Sequence, residues 1–227
     1  MRLIETTVQK IAQDHLVKMY QRKARGRIYS QLEVRTKKEH GSKRADGFLA
    51  FRNWVWGIYT VSMEAKSYKT LPAVRPFFDM KKYIVSCIRT GLLFALVGAG
   101  ISYALDWGEG GIFLFFPGML FLFGGLLNAV LRHNSFRNYR MKVIDQVAQY
   151  PANEQWLALS SDTLDSIPTK RVETLKSLCN RKGIGLILVR SRKSVEVVVK
   201  PRQQWHAVID FLRFYAKEEE IRKFLHG

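Results

Sequence analysis

RADGFLAFRNWVWGIYTVSMEAK, residues 44–66, is the stretch whose reading decides the fold. Two strand-like runs, Gly47 to Arg52 and Ile58 to Met63, flank Asn53-Trp54-Val55-Trp56-Gly57, a loop that ends on a turn-permissive glycine. Pairing Arg52 with Ile58 sets Asp46 opposite Glu64. Directly opposed Cβ atoms of an antiparallel pair lie about 4.5–5.5 Å apart, close enough for two carboxylates to grip one divalent cation.

Successive side chains of a strand point to opposite faces of the sheet, and the alternation supports this register. Tyr59, Val61, Met63 and Ala65 form one apolar face, which Leu49 and Phe51 of the partner strand share. Thr60, Ser62, Glu64 and Lys66 form the other, where Phe48 breaks the polar pattern. Two carboxylates and a lysine thus emerge from one side of a hairpin whose other side seals a core. The trio suits metal-assisted phosphodiester hydrolysis: Asp46 and Glu64 hold Mg²⁺ or Mn²⁺, and Lys66 orients the attacking water or stabilises developing negative charge. The same letters also read as an ordinary exposed Glu64–Lys66 ion pair with Asp46 capping a turn.

Upstream, Ile4 to Gln21 reads as a helix with Ile4, Val8, Ile11, His15 and Met19 along one stripe, and Ile28 to Thr36 as an alternating strand. In this order of elements, and in the placement of Asp46 and Glu64-Ala65-Lys66, the chain resembles the PD-(D/E)xK nuclease superfamily. That resemblance implies an α/β (α+β) restriction-endonuclease-like fold, a mixed central sheet flanked by helices. It also implies that Asp46, Glu64 and the backbone carbonyl of Ala65 are metal ligands, with Lys66 as the catalytic lysine. Ala45 stands where the motif has proline. Relatives often add an acid, for which Glu5, Asp14 and Glu33 are candidates; none has a motif around it, and each also reads as a solvated surface acid. The resemblance covers residues 1–72 and resumes over 165–200, where Thr169 to Arg181 reads as a helix, Gly183 to Val189 as a buried strand and Ser194 to Lys200 as another. His206 to Leu225 reads as a closing helix, and Ser135 to Tyr150 as a helix extending from the segment before it.

That segment is of another material. Thr90 to Leu105 carries no charge, and Gly111 to Leu131 is a charge-free run of 21 residues. A bilayer core takes about 20 residues of helix. The first run is long enough if Ile84 to Ile88 joins it, with Arg89 snorkelling or facing a partner. With Asp106 to Gly110 as connector, the two form a transmembrane hairpin, and the parts become 1–82, 83–132 and 133–227. Pro117 is expected to distort the second span, and Gly98, Gly100, Gly124 and Gly125 to let the backbones approach. A buried hairpin of a soluble protein is the other account, but so small a domain struggles to bury two helices apolar all round.

Lys81, Lys82 and Arg89 precede or open the first span, Arg132, Arg137, Arg140 and Lys142 follow the second, and the connector carries only acids. The positive-inside rule therefore predicts an integral membrane protein with two spans and both termini cytoplasmic, Trp107 marking the far interface. The N-terminus is charged and amphipathic, so the first span is expected to act as the insertion signal.

The net charge of +18 is spread over both arms. It suits a nucleic-acid backbone or an anionic lipid surface. Arg22, Lys23, Arg25, Arg27, Lys37, Lys38, Lys43, Arg44 and Lys69 are the candidate nucleic-acid contacts; the same cations also read as lipid-facing. Cys87 and Cys179 belong to no zinc-type cluster or disulfide framework. There is no P-loop, and Gly183-x-Gly185 introduces a strand rather than following one. The expectation is a membrane-tethered, Mg²⁺- or Mn²⁺-dependent nuclease acting on DNA, or else RNA, at the cytoplasmic face, with the lipid bilayer and a homodimer as further partners. A non-enzymatic adaptor that binds nucleic acid or a protein through a nuclease-like domain is one alternative, and an oligomeric membrane subunit whose basic arms bind headgroups is the other.

Overall fold

A computed structural model describes residues 3–54, 57–105, 112–132, 135, 138–191, 194–203 and 209–227. In chain order the elements are α1 (Glu5–Gln21), β1 (Ala24–Arg35), β2 (Arg44–Asn53), β3 (Gly57–Lys66), α2 (Leu71–Val74), β4 (Phe77–Phe78), α3 (Met80–Ala104), α4 (Ile112–Arg132), β5 (Tyr139–Arg140), α5 (Lys142–Val147), β6 (Glu154–Ser160), α6 (Ser161–Asp165), α7 (Thr169–Lys182), β7 (Gly185–Val189), β8 (Val195–Val199) and α8 (Glu218–His226). They form two compact units, Met1–Pro76 with Met141–Gly227, and Phe77–Arg140.

The first unit is a mixed α/β layer built on a six-stranded sheet in the order β1-β2-β3-β6-β7-β8. The first three strands are antiparallel, with Arg52 opposite Ile58 as the alternation predicts. β6 then lies parallel to β3 and β7 parallel to β6, while β8 closes the edge antiparallel to β7. Val8, Ala12, Leu16 and Tyr20 of α1 cover one face, packing with Leu49, Phe51, Val61, Met63 and Trp156. Full burial of each large apolar side chain contributes about 1.5–3 kcal/mol.

The buried stripe of α1 is rotated from the expected one: Ile4 is exposed, and Ile11, His15 and Met19 only flank the core. The stripe that packs is the i, i+4 row of residues 8, 12, 16 and 20, accompanied by the buried Gln9 and Gln13. Nor is the second face of the hairpin open to solvent. Thr60, Ser62, Glu64 and Lys66 are all buried, and Phe48 packs on Tyr215 at a ring separation of 4.3 Å. One patch of this face is covered by Leu212, Tyr215, Ile221 and Leu225, another by α5 and α7.

That two-sided cover explains β6, a strand the sequence pattern does not reveal. All seven of its residues are buried, so no polar alternation marks it. The expected helix over 135–150 is not formed: α4 ends at Arg132, Tyr139–Arg140 pairs as a strand, and only Lys142–Val147 is helical nearby. Residues 133, 134, 136 and 137, Arg137 among them, lie outside the described residues. The expected closing helix is likewise divided into a 3₁₀ turn at Phe211–Phe214 and α8. Asp210 caps the turn through Leu212 N–H, and Tyr215 bridges to Thr36, which interrupts helical hydrogen bonding. His206 and Val208 lie outside the described residues, as do Val55, Trp56 and the connector with Trp107. Gly183 is not strand but the left-handed cap of α7, with φ of 72°.

The second unit is an antiparallel pair, α3 and α4, both long and apolar enough to cross a membrane. At its base Phe77 pairs with Arg140 and Phe78 with Tyr139. Backbones approach where a Cβ on Gly91 would meet the Phe121 carbonyl at 2.7 Å, and where Gly98 and Gly124 face Pro117 and Phe94. Gly100, expected in this role, faces open space, and Gly125 makes only an ordinary contact. α4 continues on both sides of Pro117. Within the pair, buried Asn128 donates to Ser86 Oγ and Cys87 Sγ at 3.2 and 3.4 Å.

Candidate active site

β2 and β3 part company at the end of the hairpin. Their pairing stops at Gly47 and Met63, although β1 and β2 continue to Arg35 and Arg44, and β3 and β6 to Lys66 and Leu159. Into this notch reaches Asp46, whose Oδ2 accepts the Ala65 N–H at 2.9 Å in place of a backbone carbonyl. A residue's own N–H and C=O leave an antiparallel strand on the same side, so the Ala65 carbonyl faces the notch as well. Gly47 at its mouth has no room for a side chain, because a Cβ there would overlap Gln13 and Met63.

Glu64 and Lys66 sit on one side of β3 beside Asp46. Glu64 is only 1% exposed. Its Oε1 accepts from Lys66 Nζ and from Gln146 Nε2, each at 2.6 Å. Its Oε2 is buried with no donor in hydrogen-bonding geometry among the described residues, although the Tyr150 hydroxyl lies near enough to the carboxyl to oppose part of the rise in its pKa. An unsatisfied buried carboxylate oxygen costs free energy, so this atom is poised for a ligand. Lys66 also lies 3.6 Å from Glu5 Oε1, and the Thr70 hydroxyl donates to Glu5 Oε2 at 3.0 Å. From α1, Gln9 Nε2 donates to the Asp46 carbonyl.

Burial, reinforced by the Asp46 carboxylate, pushes the Glu64 carboxyl up to about 7. Asp46 is also raised, chiefly by burial, although the Ala65 N–H and Lys66 oppose the rise. Burial acts to lower Lys66, but its hydrogen bond to Glu64 and the charges of Glu64, Asp46 and Glu5 outweigh it and hold the ammonium above its ordinary range. The cluster therefore stores mutual repulsion between carboxylates that a lysine only partly relieves.

Of the three extra acids named from sequence, Glu5 alone joins the cluster. Asp14 is exposed on α1. Glu33 lies opposite Asp46 along the β1–β2 ladder but adopts a left-handed φ of 57° and pairs at the surface with Arg44, 3.4 Å away. The cations separate into two groups. Exposed Lys43, Arg44 and Lys69 flank the notch end of the strands, with Lys38 exposed nearby and Lys37 held 2.8 Å from Glu218. Arg22, Lys23, Arg25 and Arg27 lie at the far end, where Ala24 pairs with Asn53. Six residues of strand separate Arg52 from Asp46, roughly 20 Å. There Arg25 stacks on Trp54 at 4.6 Å and Lys23 lies 3.7 Å from buried Glu154.

Gln146, Tyr150 and Gln9 are members that sequence reasoning missed. Gln146 also lies 3.4 Å from the Tyr150 hydroxyl, whose acidity burial and Glu64 suppress. The available signal was a polar residue on an otherwise apolar helical face: Gln9 and Gln13 run beside Val8, Ala12 and Leu16, and Gln146 and Tyr150 share a four-residue spacing. Among the described residues no group of three His, Cys, Asp or Glu side chains is placed to hold a metal ion. Mg²⁺ commonly takes one or two carboxylates and keeps several waters. The pair Asp46 and Glu64, with the open Oε2, fits that demand. No family model, no curated protein and no solved structure matches the chain.

Proposed function

We propose that the chain is a membrane-anchored, divalent-metal-dependent nuclease that hydrolyses phosphodiester bonds of DNA, with RNA as the lesser substrate. The observation that carries this reading is the partnerless, buried Glu64 Oε2 beside Asp46, with Lys66 on the same face of the strand. Strand order supports it: β1-β2-β3-β6, with β6 parallel to β3, agrees with a restriction-endonuclease-like core that carries its acid on the second strand and Glu-x-Lys on the third.

Mg²⁺ or Mn²⁺ bound here would polarise the phosphate and acidify a water. Asp46, Glu64 and the Ala65 carbonyl would hold it. Asp46 keeps its orientation through the Ala65 N–H, and Glu64 through Gln146. Lys66 carries a fixed positive charge toward the notch and stabilises negative charge developing on a phosphate. Glu5 orients Lys66 from α1. Lys43, Arg44 and Lys69 place cations where a nucleic-acid backbone would enter. In this reading α3 and α4 anchor the chain, and the positive-inside rule applied to the cations flanking them favours both termini on the cytoplasmic side.

One observation favours a second reading, a non-catalytic domain that binds nucleic acid or protein: Lys66 and Gln146 already occupy Glu64 Oε1 at 2.6 Å. Cleavage assays separate the two. Detergent-solubilised protein is offered circular and linear duplex DNA, single-stranded DNA and RNA with Mg²⁺ or Mn²⁺, beside Asp46→Asn and Lys66→Met. Metal-dependent cutting lost in both variants is the expected result. Binding without cutting, equal in all three proteins, refutes the nuclease and leaves the binding domain.

A further inference from the structure

Arg89 of α3 is exposed, and its guanidinium has no ion-pair or hydrogen-bond partner among the described residues. The acid described in this unit, Asp79, is engaged elsewhere: it caps α3 through Lys82 N–H and takes Arg140 at 3.3 Å. The depth of Arg89 can be read from α4. Tyr83 bonds the Ala129 carbonyl, Ser86 and Cys87 meet Asn128, and Gly91 faces Phe121. Arg89 therefore lies level with Gly124 and Gly125. From there α4 runs on through exposed Leu126, Val130 and Leu131 before its first charge, Arg132. At 1.5 Å per residue the apolar layer marked by α4 extends about 10 Å beyond Arg89.

A cation at that depth snorkels toward the interface, and its cost falls further when an anion meets it there. On α3, Lys82 precedes Arg89 by two turns and points the same way, close to the level of Arg132. Below Arg89 the same face continues with exposed Leu92, Leu93 and Leu96. This face is turned from α4, because Gly91, two residues on, is the contact side. Two cations above a leucine stripe match a phospholipid whose phosphate is anionic and whose chains run along the helix.

We propose that this face of α3 is a binding site for one anionic phospholipid, its phosphate drawn toward Arg89 with Lys82 as second contact and its acyl chains along Leu92, Leu93 and Leu96. The site rests on the reading of α3 and α4 as membrane spans. A zwitterionic lipid offers the same phosphate with a compensating ammonium, so net charge is what the site selects.

The test uses the full chain in detergent, given equal phosphatidylglycerol and phosphatidylcholine of matched acyl chains and examined by native mass spectrometry. Arg89→Leu and Arg89→Lys are compared; the first keeps the helix apolar and folds more readily in a membrane. The wild type is expected to retain one phosphatidylglycerol with a preference on the order of five- to thirtyfold, as one or two cations provide. The leucine variant loses the preference and the lysine variant keeps most of it. Equal retention of both lipids, or a preference intact in Arg89→Leu, overturns the proposal. Displacement by soluble glycerol phosphate overturns it in favour of a free-phosphate site, and an Arg89-dependent cross-linked dimer without lipid preference assigns the face to a second copy. Alkaline extraction of native membranes guards the premise: release of the chain means that the spanning reading fails, whereas retention without lipid preference sinks only the lipid site.

Discussion

Glu64→Gln should make the unliganded protein more stable while removing its chemistry. The folded carboxyl is pushed from 4.5 to about 7, and each unit is worth about 1.36 kcal/mol, so holding the charge in place costs about 3 kcal/mol. Glutamine keeps the shape and the acceptor for Lys66 and Gln146 without the charge. The sign follows from the raised value: the folded state takes up its proton near pH 7, the unfolded state near 4.5. Wild type therefore gains stability as pH falls between those values and carries the full penalty above 7. Detergent-solubilised protein at pH 8, followed by Trp156 fluorescence, should show the variant melting roughly 6–12 °C higher, as expected for a chain of this size. At pH 4.5 the gap should close. Mn²⁺ at pH 8 should raise the melting point of wild type and leave the variant unmoved. A variant no more stable at pH 8, or a gap indifferent to pH, refutes the account of Glu64 as a strained ligand.

Asp46→Asn should keep the Ala65 N–H bond and the fold, yet reduce cleavage at least a hundredfold, measured as initial rate on linear duplex; an unimpaired rate removes Asp46 from the site. Gly47→Ala should destabilise by about 1–3 kcal/mol, because Gln13 and Met63 must move aside, and chemical denaturation reads this directly. Cys179, buried and pushed up to about 12, should resist alkylation at pH 8 until the protein unfolds, as peptide mapping of the labelled thiol would show. Replacing residues 79–138 with a two-residue turn should yield a water-soluble domain, since Phe77 and Arg140 are already paired; aggregation on size exclusion would contradict this.

The hairpin was legible because its own letters carry two independent checks. Alternation fixes which side faces α1, and the loop length fixes the register, so Arg52 opposite Ile58 follows without tertiary information. β6 had no such signal. A strand covered on both faces has no period to detect, and Glu154 at its start misleads, since that carboxylate is buried under the hydroxyls of Tyr20 and Tyr59. α1 was found but mis-rotated because Ala12 and Tyr20, weak markers of burial, define its packed row. In the candidate site, Asp46, Glu64 and Lys66 could be named as chemistry-bearing types. Gln9 and Gln146 were marked only as polar residues on apolar helical faces, a signal that gives no role, because an amide declares its role only by what it touches.

The site is also split along the chain. Glu5, Asp46, Glu64 and Lys66 precede the apolar hairpin α3–α4, whereas Gln146, which holds Glu64 Oε1, follows it. An insertion from Phe77 to Arg140 would normally oppose the meeting of its flanks through loop-closure entropy, but that cost rises only with the logarithm of loop length. Here it is reduced further, because α3 and α4 pack as an antiparallel pair and Phe77–Phe78 pairs with Tyr139–Arg140 at the base. The insertion thus returns the chain close to where it left, and α5 can follow at once with Gln146. An apolar helical hairpin placed between the Glu-x-Lys strand and β6 leaves the sheet order undisturbed because its two ends behave as a single turn.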